Sequence, residues 1–297
     1  MEPVADLATI ESPAGRVNLI ETPSGMGSSV SILCIHGLFC DASIFSYAAG
    51  KLSEMGFNVH SIDLPGHGKS YGPPGDLDFD ESLQAIAAVI SEIRKKSSKV
   101  FLLAHSMGST FALWYSYKFQ NSVDGLILLS PYIRIPGIKR SDAEPDGLGF
   151  LYLLFGRMFS PRKRIDARKV LPGYIRIGGT QYARMVSTSS VNFSYSYRYM
   201  IDVIARRNSM LDELSAVTCP VLVICGRQDK NVYPAVSEKF FEMLRSGDKS
   251  ISVLDCNHWF YDAVFYSQSP DYAESARMDF LNLVAKWVES RAAGVVT

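Results

Sequence analysis

The strongest constraint on the fold is an alternation of two kinds of segment. Short apolar runs, each closing on a polar or glycine-rich loop, take turns with segments whose apolar residues recur at three- and four-residue steps. The first run, Ser31-Ile32-Leu33-Cys34-Ile35, ends in His36-Gly37-Leu38-Phe39 and leads into a helical segment over 43–55. A second run over 58–63 closes on Leu64-Pro65-Gly66-His67-Gly68-Lys69-Ser70. The helix predicted after it, over 79–96, has Leu83, Ile86, Ala87, Ile90 and Ile93 on one face. Further strands are expected over 100–103, 125–130, 221–225 and 250–254, with helices over 109–117, 235–245 and 275–291. Nearly continuous apolar runs are what strands buried on both faces require. Strand and helix in alternation build a parallel sheet with right-handed crossovers. The predicted class is α/β, a mostly parallel doubly wound sheet.

The rhythm stops at Pro131. From there to about Leu211 no convincing strand is read; the stretch holds aromatic and aliphatic runs, a basic patch at Arg162-Lys163-Arg164 and Arg168-Lys169, and a tyrosine-rich segment over 195–199. Such an insertion reads as a helical cap over the strand ends. The domain reading is a core of 1–130 and 212–297 with a cap over 131–211. The first 29 residues read as an introduction, with a possible strand over 16–21.

Ligands in parallel sheets gather at the carboxyl ends of the strands, and the chemistry-bearing residues fall there. Ala104-His105-Ser106-Met107-Gly108 sits between an apolar run and a helix, the context in which a small-x-Ser-x-small pentapeptide makes a nucleophile elbow. Small neighbours let the turn hold the serine in a strained conformation with its hydroxyl above the sheet. A serine needs a base, and the base needs an orienting group. His258 follows the last strand and Asp229 follows the strand over 221–225, in the chain order serine, acid, histidine. Asp229 could instead cap the next helix, and Asp255 is a rival acid three residues from the histidine. The oxyanion site would use the backbone N–H of Met107 and, from the loop after His36-Gly37, that of Leu38. His36 reads as a brace for loops; His67 and His105 are weak catalytic candidates.

Composition narrows the class. Of 297 residues, 47% are hydrophobic and 20% charged, enough for a sizeable core. Thirty basic and thirty acidic side chains cancel, which argues against nucleic acid as a partner. Five cysteines is an odd number, and Cys34, Cys219 and Cys225 lie in or beside strand-like runs. They read as buried free thiols of a reducing compartment. The beginning Met1-Glu2-Pro3-Val4-Ala5-Asp6 lacks a basic start and a signal-length apolar run. No run approaches the roughly 18 apolar residues that span a bilayer. A cytoplasmic protein is the expectation.

Together these motifs resemble the α/β-hydrolase superfamily, from about Val30 to the C-terminus. His-Ser-Met-Gly at the elbow and Leu129-Ser130-Pro131 after the next strand are most similar to the monoacylglycerol lipase and lysophospholipase group of serine esterases. Ala104 stands where that group usually has glycine. The resemblance implies an α/β-hydrolase fold and two-step acyl transfer to water, with Ser106, His258 and Asp229 as triad, Leu38 and Met107 as oxyanion donors, and neither metal nor organic cofactor. It implies a small-molecule ester with an apolar acyl chain as substrate. A weak membrane contact through the cap's basic patch is the further partner considered; a solvated helix face is weighed above it. Thioesterase, amidase, perhydrolase and carbon–carbon bond hydrolase activities keep the same serine, and a non-catalytic ligand-binding homologue keeps the same fold. Chain length and oligomeric state are not legible.

Overall fold

The computed structural model describes residues 6–138, 145, 147–171, 192–260 and 270–293, with side chains left out of the description at 6 and 270–276. Within it, β1 (Asp6–Ser12) and β2 (Gly15–Thr22) form an antiparallel hairpin. The core continues through β3 (Val30–Ile35), α1 (Ser46–Glu54), β4 (Asn58–Ile62), α2 (Phe79–Arg94), β5 (Lys99–His105), α3 (Met107–Lys118) and β6 (Gly125–Leu129). Then come α4 (Gly147–Phe159), β7 (Arg164–Asp166), β8 (Ser194–Ser196) and α5 (Tyr197–Glu213). The chain returns to the sheet in β9 (Val221–Gly226), α6 (Pro234–Met243), β10 (Lys249–Leu254) and α7 (Pro270–Ala292).

The eight-stranded sheet has the order β1-β2-β4-β3-β5-β6-β9-β10. Its six strands from β4 to β10 pair in parallel, and the β1–β2 hairpin adds antiparallel at β4. The fold class is therefore the α/β, mostly parallel sheet read from the alternation. Strand residues divide between two cores as the pleat requires. Leu33, Ile35, Leu102 and Ala104 face α2 and α3, whereas Ile32, Cys34, Phe101 and Leu103 face α1 and α7. Burying each large apolar side chain contributes about 1.5–3 kcal/mol. α2 shows how local sequence sets such an element. Asp78 caps it by accepting from the Asp80 and Glu81 N–H groups, Asp80 and Glu81 sit at its positive end, and Leu83, Ile86, Val89 and Ile90 are buried on one face.

Two departures from the sequence reading stand out. β1 was not expected, because an edge strand with one solvated face shows no continuous apolar run; Leu7 on it is exposed. The stretch over 131–211, read as free of strands, contains the antiparallel pair β7–β8. Three-residue strands are too short to carry a period. Of the expected cap, 139–144, 146 and 172–191 lie outside the described residues, as does the chain start over 1–5. Cys34 and Cys225 are buried as read; Cys219 is half-buried.

Candidate active site

Ser106 occupies the single residue between β5 and α3, with φ +52° and ψ −117°. A non-glycine residue in that region is strained, and its surroundings hold it there. Its N–H donates to the Leu129 carbonyl at 2.8 Å, and its own carbonyl accepts from Ser109 and Tyr132 N–H groups. Gly108 is required by close approach. A Cβ there would lie 2.3 Å from the Ile35 carbonyl oxygen and 2.7 Å from that of His36. Ala104 is fully buried in the core below.

Parallel pairing of Ile35 with Ala104 sets the loop after β3 beside this turn. A Cβ on Gly37 would come 3.3 Å from that of Ser106. The loop is aimed by His36, whose Nδ1–H donates to the Gly37 carbonyl at 2.9 Å while Nε2 accepts from the Leu64 N–H at 3.1 Å. Across a trans peptide, C=O and N–H point in opposite directions. With its carbonyl partner held by His36, the Leu38 N–H points away from that ring. Burial holds His36 below its ordinary pKa, so it stays neutral and can serve as donor and acceptor at once.

On the other side of the serine, β9 and β10 end in loops that touch. A Cβ on Gly226 would meet the Cys256 and Asn257 carbonyls at 2.4 and 2.6 Å. This brings Asp229 to His258, with Oδ2 accepting from Nδ1–H at 2.7 Å, both residues buried. Asp229 Oδ1 accepts from the Asn231 and Val232 N–H groups at 2.8 Å each, which turns the chain ahead of α6. The alternative role of helix cap is not what it does, since α6 starts at Pro234 and has no side-chain cap. Asp255, the rival acid, accepts instead from Gln228 Nε2 at 3.1 Å. His258 Nε2 is buried without a hydrogen-bond partner among the described residues, and no hydrogen bond joins it to Ser106 Oγ. Such contacts are often open before substrate arrives. His105, in the elbow, turns away from the serine and donates from Nε2 to the His258 carbonyl at 2.8 Å.

Above these groups lies a cavity lined by Leu38, Ser106, Met107, Tyr199, Val203 and Ile204 among others. Its walls are mostly apolar. Sequence reasoning did not single out the α5 residues that line it. The tyrosine-rich segment was visible, but nothing local says which way its rings face. Among the described residues no group of three or more His, Cys, Asp or Glu could hold a metal ion, and no helix is long and apolar enough to cross a membrane.

Known proteins share this fold. An uncharacterized abhydrolase domain-containing protein of Dictyostelium discoideum is 24% identical over 263 residues, 88% of this chain. The chain spans only 26% of that relative's length. Among solved structures, a monoacylglycerol lipase of Paleococcus ferrophilus superposes with a TM-score of 0.70 at 22% identity, covering 97% of this chain and 99% of its own. A soluble variant of monoglyceride lipase from Saccharomyces cerevisiae, in complex with a substrate analog, gives 0.74 at 21% identity, covering 97% of each chain. At such identities the structural likeness speaks to the fold. The family model described as "Serine aminopeptidase, S33" matches residues 28–258, from β3 to the histidine, and the chain belongs to that family of α/β-hydrolases.

Proposed function

We propose that the protein is a carboxylic ester hydrolase acting by two-step acyl transfer, on acyl glycerols or similar esters with short to medium acyl chains. The observation that carries this reading is the buried His258–Asp229 pair at 2.7 Å beside an apolar cavity lined by a strained serine. In the first step Ser106 Oγ attacks the ester carbonyl while His258 Nε2 takes its proton. Asp229 keeps the other imidazole proton on Nδ1 and stabilises the imidazolium. The Leu38 and Met107 N–H groups donate to the oxyanion; as the tetrahedral species collapses, the C–O bond to the alcohol breaks and His258 protonates the leaving oxygen. Water then attacks the acyl-enzyme with His258 as base, releasing the acid and restoring the serine. Residues 131–211 act as a cap whose Tyr199, Val203 and Ile204 take the acyl chain.

The test is Ser106→Ala assayed on a short p-nitrophenyl ester. Loss of roughly four or more powers of ten with unchanged folding is expected, as is loss of fluorophosphonate labelling. Near-normal turnover would discard the assignment. A panel of acyl glycerols, lysophospholipids and graded p-nitrophenyl esters then sorts substrates.

A second property, membrane contact, is favoured by α4 more than by the basic patch. Only Leu153 of α4 is buried; Leu148, Phe155, Met158 and Phe159 are 80%, 58%, 64% and 73% exposed. Arg164 is tied to the Pro74 carbonyl and Arg168 to Asp166. We therefore assign vesicle contact to the apolar face of α4. Co-sedimentation with phosphatidylcholine vesicles should weaken in Phe155→Glu/Phe159→Glu and persist when Arg162 and Lys163 are reversed in charge.

A further inference from the structure

The loop that carries Leu38 is held from the inserted region as well as from the sheet. Phe39, the next residue, is non-glycine at φ +69°, a left-handed conformation that needs support from its surroundings. The peptide between Leu38 and Phe39 is fastened at both ends. Its carbonyl accepts from Cys40 Sγ at 3.4 Å, and its N–H donates to the Tyr195 hydroxyl at 3.0 Å. Tyr195 lies on β8, 156 residues further along the chain, and is fully buried. Its hydroxyl in turn donates to His67 Nε2 at 3.3 Å, because His67 Nδ1–H is committed to the Pro65 carbonyl at 3.1 Å. The strand bearing Tyr195 is itself anchored: the Ser196 N–H donates to the Gly75 carbonyl at 2.8 Å and Arg198 pairs with buried Asp76 at 2.8 Å. Tyr199, one helical turn beyond, stacks on Tyr195 at 5.1 Å between centroids and donates from its hydroxyl to Met107 Sδ.

We propose that Tyr195 is a positioning residue for catalysis: its hydroxyl, oriented by His67, locks the Leu38–Phe39 peptide and thereby aims the Leu38 N–H at the oxyanion. The inference rests on the ester-hydrolase reading and goes further, since it makes turnover depend on how the inserted strand is seated. A tyrosine at this point touches neither the scissile bond nor the triad. It acts through the 38–39 peptide, which meets at the Leu38 Cα the 37–38 peptide that carries the donor. Loss of the hydroxyl removes a bond that helps hold Phe39 at its strained φ and lets the adjoining N–H shift off its target. Removing an oxyanion donor altogether costs roughly 10²–10³ in kcat, and a misplacement of about 1 Å can cost up to about 10²-fold. Tyr195→Phe should therefore lower kcat about 10- to 100-fold. Acylation and deacylation both pass through an oxyanion, so both slow together and KM stays put.

The test compares wild type with Tyr195→Phe on a short p-nitrophenyl ester, active sites counted by end-point fluorophosphonate labelling. The expected result is the kcat loss above, KM within twofold, and a matching loss of affinity for a trifluoromethyl ketone, whose adduct carries the oxyanion. A merely structural tyrosine would lower the melting temperature and leave kcat per labelled site unchanged. That outcome, or a loss residing in KM, overturns the proposal. Should Tyr195→Phe fail to fold, His67→Gln is read by the same criteria, with a smaller kcat loss expected and none overturning. Wild type that neither labels nor turns over removes the ester-hydrolase reading and this one together; active wild type with an unaffected variant removes this one alone.

Discussion

Asp229→Asn tests the site more sharply than deletion does, because the structure dictates which way the new amide must face. Oδ1 of Asp229 accepts from two buried backbone N–H groups, those of Asn231 and Val232, and Oδ2 accepts from His258. An asparagine keeps its oxygen toward the two N–H groups and turns its NH₂ toward the imidazole. His258 Nδ1 must then accept, which moves the ring proton to Nε2, the atom that should take the proton of Ser106. Turning the amide over restores the base but sets NH₂ against two buried donors, at about 1–3 kcal/mol each. The productive arrangement is thus about 2–6 kcal/mol uphill, and at about 1.4 kcal/mol per power of ten kcat should fall between about 30-fold and about 10⁴-fold. The denaturation midpoint should barely move, since the Oδ1 bonds survive. Steady-state turnover of a p-nitrophenyl ester and urea unfolding monitored by fluorescence provide the two readouts. A folded variant with kcat within tenfold of wild type would refute the orienting role.

Two other outcomes are expected. In Gly108→Ala the new Cβ would press on the backbone carbonyls of Ile35 and His36; overpacking of this kind costs about 1–3 kcal/mol, and the loop it pushes carries Leu38. A lower melting temperature with more than a tenfold loss of kcat is expected, and wild-type values for both would contradict the close approach. The second concerns acid. Burial holds His67 down to about 3 and His36 and His105 below their ordinary values, so these rings are neutral when folded. Unfolded imidazoles take up protons near 6.5 while folded His67 does not until about 3, so stability is full above pH 6.5 and is lost as pH falls below it. His67 alone should cost about 2 kcal/mol at pH 5. Urea midpoints measured from pH 7.5 to 4.5 should decline through this window, and the His67→Gln variant should decline less.

The sequence by itself determined most of the secondary structure of the core and where the candidate site residues fall along it. Apolar runs and helical spacing report burial that each segment will have in almost any packing, so β3, β4, β5, β6 and β9 and the helices between them were legible. The strand-to-helix junction at Ser106, between Ala104 and Gly108, was legible for the same local reason, and it drew its weight as a candidate elbow from the acid and the histidine that follow in chain order. Chain order suggested Asp229 for the acid but left Asp255 as a rival. Only the parallel pairing of β9 with β10 set the Asp229 carboxylate against the imidazole and turned Asp255 toward Gln228.

The tertiary structure alone decided where the described part of the inserted region packs. The three-residue strands β7 and β8 gain their hydrogen bonds from each other across a long stretch of chain, and no periodicity announces them. Tyr195 looks like any other member of a tyrosine-rich run until folding sets its hydroxyl beneath the Phe39 N–H. The physical reason is one of range. Periodicity in a sequence records the environment of a residue averaged along its own element, whereas a donor finds its acceptor through contacts between elements, and those exist only once the chain is packed.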